Sequence, residues 1–472
     1  MTHVSKQADP VTDIRADTKS ATGMKRVAMA SAVGSLIEFY DFTIYSTAAA
    51  LVFAHVFFPA LGSVAGSVAS YATLGVAFLS RPIGSLLFGH FGDRLGRKRT
   101  LLATMSLMGG STVLIGLLPT SGTIGIAAPI ILVVLRICQG VSTGGEWAGA
   151  ALFSFEHAPK DRGGFWAMFA NLGGAFASIL ALGTFLITGS YMSDTDFVSW
   201  GWRIPFLASV VLFIVGLYVR LRTEETPDFN AATTRRRPAD TLPFKEAFAR
   251  QWKEILLGAG ALVMPISLCY VGLAFLTSYG TAALHLPRPW VLGAVMLGNV
   301  FNLIAIVLGG MLTDRFGGRR IMIIANIVGI PWALALFPIL GTKSLPIFWV
   351  AMAVTFFIAG IGFGVAGGFL SQLFPTRYRY TAIGISYSIS GVLGGAVPPL
   401  VAAGLVASYG GLVFGLFLAF YSLVGLLCTL AVREHRDPEI TEVPLLQTES
   451  VGGAQACGDP ASWSARNVAR LS

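Results

Sequence analysis

Apolar residues in this chain come in long unbroken runs, separated by short polar segments that are mostly basic. Twelve runs stand out, at 27–57, 66–90, 100–119, 124–151, 163–190, 203–222, 254–284, 290–312, 320–340, 345–374, 379–406 and 411–432. A helix needs about 20 apolar residues to cross a hydrocarbon layer about 30 Å thick, and each run reaches that length. Helices are the natural spanning element, because they satisfy their own backbone hydrogen bonds where water is absent. The period-two alternation of a membrane barrel is not found. The pattern predicts an all-α membrane protein with twelve transmembrane helices.

Composition narrows the picture. Of 472 residues, 54% are hydrophobic and 12% are charged, about half of the roughly 25% found in soluble chains. Mean hydropathy is +0.71. So few charges cannot cover a soluble surface, which excludes a soluble globular enzyme, a disordered chain and a fibrous repeat. The 55 glycines follow no every-third-residue rule, which excludes collagen. Cys138, Cys269, Cys428 and Cys457 have neither metal nor redox spacing and imply no disulfide framework. The first 26 residues are polar, the wrong order for a cleaved signal peptide.

Net charge is +9 and the pI is near 9.5. In a soluble protein that balance would suggest nucleic acid; here the distribution assigns it to topology. Of the 33 Lys and Arg residues, 28 fall in 1–26, 89–100, 157–162, 220–253, 315–320, 377–379 and 433–472. The alternate loops hold Arg288 and Lys343, with Arg203 at a boundary, and Arg81 and Arg136 lie inside runs. Lys and Arg accumulate in cytoplasmic loops, so both termini are expected in the cytoplasm of a multi-pass plasma (inner) membrane protein. The expected macromolecular partner is the lipid bilayer, whose anionic headgroups meet the basic loops, and not nucleic acid.

The chain also repeats itself. Gly89, Asp93, Arg94, Gly96, Lys98 and Arg99 after the second run recur as Gly310, Asp314, Arg315, Gly317, Arg319 and Arg320 after the eighth, 221 residues on. Pro159 and Arg162 after run four are echoed by Pro375 and Arg377 after run ten. The expected organisation is a cytoplasmic tail (1–26), a six-helix half (27–222), a charged linker (223–253), a second six-helix half (254–432) and a C-terminal tail (433–472). Parallel six-helix repeats place a substrate site between the halves, near mid-membrane.

This arrangement resembles the major facilitator superfamily. Further motifs are similar to its metabolite:proton symporter family, which includes shikimate, 2-oxoglutarate, citrate and proline/betaine carriers. They are Ile37-Glu38-Phe39-Tyr40-Asp41-Phe42, Ser80-Arg81-Pro82, the segment from Arg136 to Glu146, Trp202-Arg203-Ile204-Pro205-Phe206, and Phe374-Pro375-Thr376-Arg377 with Arg379 to Thr381. The resemblance covers residues 24–432. It departs at Gln372, where many relatives carry glutamate, and at Glu225-Thr226-Pro227-Asp228, where Glu-Ser-Pro is more usual. It implies the major facilitator fold, a monomer and proton-coupled transport of a small organic substrate, with no cofactor and no metal.

Depth singles out four charges. At about 1.5 Å per residue, Glu38 and Asp41 lie roughly 17–21 Å into the first helix, and Arg81 and Arg136 about 18 Å from the ends of theirs. Charges there are costly and must face a partner or a wet cavity. Glu38 and Asp41, three apart, share a helix face. Arg136, Gln139, Gly140, Thr143 and Glu146 form a stripe whose small residues admit a close neighbour. The second half has no acidic residue well inside a run. Proton chemistry is therefore expected in the first half, with hydrogen bonds and shape supplied by the second.

Asp41 is the expected proton carrier, because it matches the first-helix aspartate of resembling sugar:proton symporters. Arg136 is the arginine expected to oppose it, and Glu38 to share or relay the proton. Arg81 is assigned to a substrate carboxylate, since guanidinium offers a two-toothed fork. Arg136, Gln139, Tyr270, Asn299, Asn302 and Tyr387 complete the expected substrate set. The competing reading is a static buried network that ties helices together. Asp93, Arg94, Arg97, Asp314 and Arg315 are expected to gate the cytoplasmic side through salt bridges across helix ends, with Glu156 and Arg162 as a matching network. The plainer reading of the basic members is topology alone. Gly360, Gly362, Gly364, Gly367 and Gly368 suit either close packing or a hinge.

No P-loop and no nucleophile–base pair stands out, so neither ATP drive nor an enzyme is expected. The leading reading is proton-coupled symport of a carboxylate metabolite (shikimate-like, dicarboxylate or aromatic acid) by alternating access. One alternative is a proline/betaine-type osmolyte:proton symporter; residues 433–472 lack the heptads of its osmosensing relatives. Another is a proton-coupled exporter of drugs or metabolites. Asn171-Leu172-Gly173-Gly174 lacks the proline of the exchanger-type motif and argues against it.

Overall fold

The computed structural model describes residues 10–95, 97–144, 146–159, 161–222, 243–375 and 379–432. Within these, the side chains of 10–23, 25–26, 30, 85–86, 89–95, 97–101, 219–222 and 243–249 lie outside the description. The tail 433–472 and linker residues 223–242 also fall outside it. The described residues are helical and hold no strand.

The long elements are α1 (Pro10–Ala48), α2 (Gly62–Leu95), α3 (Arg97–Leu117), α4 (Ala127–Ser142), α5 (Glu146–Glu156), the short α6 (Gly163–Ala167), α7 (Phe169–Tyr191) and α8 (Arg203–Arg222). They continue as α9 (Pro243–Tyr270), α10 (Arg288–Phe316), α11 (Gly318–Leu340), α12 (Leu345–Leu373), α13 (Arg379–Ser390) and α14 (Gly411–Ala431). α1 extends back to Pro10, so part of the polar stretch read as a tail is helical.

Among the described residues, 10 helices are long and apolar enough to cross a membrane, or up to 11 if the pair Asp194–Gly201 and Arg203–Tyr218, bent by 45°, is one span. Leu102–Leu117 is a shorter apolar helix. Each apolar run of the sequence thus coincides with an apolar helix. Outward positions such as Leu79, Ile126, Val211, Ile214 and Phe420 are exposed. An apolar exterior around a partly polar interior is the inverse of a soluble protein and fits hydrocarbon as the solvent.

The internal repeat reaches into backbone irregularities. α1 widens into a π-helical turn at Ala49–Phe53 and α9 into another at Val271–Leu276. Each extra residue per turn redirects the side chains that follow. Phe53 packs edge-on against Tyr45, Phe57 and Trp202. Phe275 packs against Phe337 and Phe414. Two further π-helical segments are Phe197–Gly201, before α8, and Gly391–Ala396, which follows α13 and leads into the helix Val397–Tyr409.

Helices from the two parts of the sequence interlock. α7 packs along both α1 and α10, and α2 packs on Val397–Tyr409. The glycines of α12 explain part of this closeness. Gly364 faces the Ile306 carbonyl and Gly309, Gly362 faces Pro265, and Gly367 faces Ala167. Three neighbours meet one glycine-rich helix, which is the close-packing use of that run.

Candidate substrate and proton site

Glu38 and Asp41 are buried on α1, at 1% and 4% exposure. Their partners differ. Arg81 Nη2 donates to Glu38 Oε1 at 3.2 Å. Its guanidinium lies over the rings of Phe42 and Phe78, 4.4 and 4.9 Å from their centroids, a favourable setting for a cation out of water. This ion pair was not foreseen from the sequence, which had assigned Arg81 to a substrate carboxylate.

Asp41 belongs to a second chain of contacts. Its Oδ2 accepts from Thr112 Oγ1 at 2.8 Å. Thr112 accepts from Gln139 Nε2 at 2.7 Å, and Gln139 Oε1 accepts from Arg136 Nη1 at 2.8 Å. Arg136 also donates to the carbonyls of Thr73 and Leu74, each at 3.4 Å, and lies 3.7 Å from the Tyr45 ring centroid. Arg136 therefore reaches Asp41 through two side chains rather than by direct pairing. Gln139 lies three residues on, on the same face of α4, and meets the guanidinium first. The approach of α2 to α4 requires glycine: a Cβ on Gly140 would strike the Ala77 backbone, and one on Gly84 the Val141 backbone.

Two interior spaces adjoin these groups. The larger, about 410 Å³, is lined by Phe42, Thr43, Ser178, Tyr270, Asn302 and Phe363 among others. These residues come from α1, α7, α9, α10 and α12, so both parts of the sequence contribute. Thr43 and Ser178 share a hydrogen bond of 2.9 Å. Tyr270 stands edge-on to Phe78, centroids 5.1 Å apart. Asn302 Oδ1 is buried without a partner. The smaller space, about 240 Å³, is lined by Glu38, Arg81, Thr143, Trp147, Tyr387 and Ser388 among others. Asn299 is buried and donates to the Val295 carbonyl of its own helix at 3.0 Å.

Polar contacts join helices toward both ends of the bundle. At the end carrying the basic loops, Asp314 accepts from the backbone N–H groups of Gly164 and Phe165, at 2.7 and 3.0 Å. This is a helix cap: first-turn N–H groups have no intrahelical partner and favour a carboxylate. Glu156 pairs with Arg379 at 3.6 Å, while Arg162 is exposed. Arg315 lies over the ring of its neighbour Phe316. The side chains of Asp93, Arg94 and Arg97 lie outside the described residues. At the opposite end, Arg288 bonds Asp194 at 2.7 Å and the Gly189 carbonyl at 3.2 Å.

A model described as Major Facilitator Superfamily matches residues 31–399. The chain belongs to the major facilitator superfamily. It is 40% identical to the inner membrane metabolite transport protein YhjE of Escherichia coli K12, over 87% of this chain and 94% of that one. It is 38% identical to the shikimate transporter of the same strain, over 84% of this chain and 90% of that one. The proline/betaine transporter of that strain is 31% identical, over 91% and 87%. Among solved structures, a D-xylose-proton symporter superposes with a TM-score of 0.67 at 20% identity, covering 86% of this chain and 96% of that one. A partially occluded inward-open structure of the xylose transporter XylE from E. coli gives 0.63 at 18% identity. At such identities the likeness is one of fold. The protein is thus a multi-pass membrane transporter and not an enzyme.

In this superfamily member, two residues that the sequence did not assign to the site tie it together. Trp147 stacks on Tyr387, centroids 3.7 Å apart and planes 11° apart. Trp147 Nε1 donates to Asn171 Oδ1 at 2.8 Å, and Asn171 Nδ2 donates to the Phe363 carbonyl at 2.7 Å. Trp147 continues the polar stripe of α4 one residue past Glu146, and Asn171 is the only side-chain amide within run five. Those were the available signals.

Proposed function

We propose that this transporter is a proton-coupled symporter that takes up a small carboxylate metabolite by alternating access. In this reading it has twelve spans, both termini in the cytoplasm, and two six-helix halves that rock about the central site. The observation that carries the reading is the set of buried charges on α1, α2 and α4. Two carboxylates, Glu38 and Asp41, and two arginines, Arg81 and Arg136, lie beside interior space lined from both parts of the sequence. Burying four charges is costly, and ion-coupled solute binding accounts for that cost. Asp41 carries a proton, with Thr112, Gln139 and Arg136 as its link to α4. Arg81 receives the substrate carboxylate, and Tyr270, Asn302 and Tyr387 shape the rest of the site. The relative named a shikimate transporter supports a carboxylate substrate. Asp314 and the Glu156–Arg379 pair hold the cytoplasmic end closed.

The test uses protein reconstituted in vesicles with an imposed proton gradient, and labelled shikimate, 2-oxoglutarate, benzoate and betaine as probes. An inward proton gradient is expected to drive accumulation of a carboxylate. Accumulation of betaine alone would favour the osmolyte reading, and gradient-driven loss of preloaded probe would favour export.

A further inference from the structure

The Glu38–Arg81 pair is incomplete. One bond of 3.2 Å joins them, and both side chains are more than nine-tenths buried. Yet Glu38 Oε2 and Arg81 Nε are buried atoms with no hydrogen-bond partner. Both residues line the space of about 240 Å³ shared with Trp147 and Tyr387. Guanidinium and carboxylate favour two parallel bonds, and leaving half of each group unmet in a low-dielectric interior is unfavourable. Asp41 differs: it accepts from Thr112, and among the described residues no arginine is bonded to it.

We infer that Glu38 is a built-in stand-in for the substrate carboxylate, and that binding exchanges the two on Arg81. This rests on the reading of the protein as a carboxylate:proton symporter and assigns the substrate-linked proton within it. In the substrate-free state, ionised Glu38 neutralises Arg81. When Glu38 takes up a proton, its attraction for the guanidinium falls, and Arg81 turns to an incoming carboxylate that can bind through both oxygens. One proton and one carboxylate then enter together, and the charge in the site is unchanged. No covalent bond forms or breaks apart from the transfer of that proton to the Glu38 oxygen. The ionisable groups facing Glu38 are Arg81, Glu146, Asp41, Tyr270 and Tyr387. Arg81 is the cation bonded to it, and so governs the exchange. Asp41 then serves the conformational step through Thr112 and Gln139.

The experiment measures half-saturation for whichever labelled probe of the vesicle panel is accumulated, in counterflow without a proton gradient, across pH. Competition between Glu38 and substrate makes wild-type apparent affinity fall as pH rises, by up to about tenfold per pH unit once Glu38 is ionised. Glu38→Gln is expected to bind about tenfold or more tightly at the alkaline end, with a flat profile. If Glu38→Gln does not reach the membrane, Glu38→Asp, with shorter reach to Arg81, is expected to raise alkaline affinity and flatten the slope. A wild-type slope in the Glu38 variant, or a flat profile in the wild type, overturns the exchange while leaving carboxylate symport intact. Accumulation of betaine and no carboxylate overturns both, so the two failures are distinguishable.

Discussion

Trp147 lies flat on Tyr387, with ring centroids 3.7 Å apart and an interplanar angle of 11°. Trp147 belongs to α5 and Tyr387 to α13, so the stack joins residues 240 positions apart in the sequence. It borders the space that holds Glu38 and Arg81. Aromatic pairs contribute about 0.5–1.5 kcal/mol beyond the area they bury, a size suited to a contact that must break in every cycle. Trp147→Ala is expected to shift the conformational equilibrium about threefold to tenfold toward the cytoplasm-open state. In a background without the four native cysteines, a Gly384→Cys probe should then react faster with an impermeant maleimide from the cytoplasmic face. Equal rates would mean that the stack does not hold the closed state.

Asp41→Asn is expected to abolish accumulation driven by a proton gradient and to spare exchange of substrate down its own gradient. Removing the titrating oxygen removes the proton that drives the conformational step and leaves the substrate contacts on Arg81. Undiminished accumulation would exclude Asp41 as carrier.

Thr112 stands between Asp41 and Gln139, donating to the Asp41 carboxylate and accepting from the Gln139 amide. Thr112→Val keeps its shape and leaves two buried polar groups short of a partner, at a cost of about 1–3 kcal/mol. Proton-driven uptake is expected to fall by about tenfold or more, whereas Thr112→Ser retains most of it. Similar rates in both variants would show that the link is dispensable.

Asp314 caps α6 through two backbone N–H groups. Charge-assisted bonds of this kind are worth about 1.5–3 kcal/mol. Asp314→Ala should therefore favour the cytoplasm-open state by about tenfold or more. Met168 packs against Gly310, so a Met168→Cys probe should become accessible from inside. Unchanged labelling would reduce the cap to a local tie.

Gly140 touches the Ala77 backbone, and a Cβ there has no space. Gly140→Ala is expected to lower thermal stability through overpacking of about 1–3 kcal/mol. It should also slow transport, because Arg136 and Gln139 ride on the same turn. An unchanged melting temperature would show that α2 and α4 separate at little cost.

The long apolar runs, the basic loops and the repeat of Asp93 as Asp314 were legible in the sequence. They follow from composition and spacing alone: hydrocarbon selects apolar helices, and each run became one. Glu38, Asp41, Arg81 and Arg136 were legible too, because a charge at membrane depth stands out against its run. Which charge meets which was not. Pairing depends on helix rotation and on side-chain reach across neighbours, which spacing along one helix does not fix. The tertiary structure joined Glu38 to Arg81, set Thr112 and Gln139 between Asp41 and Arg136, and turned Asp314 to a backbone cap. It also brought Trp147 and Asn171 into the site, since a tryptophan and an amide acquire their roles only from what packs against them.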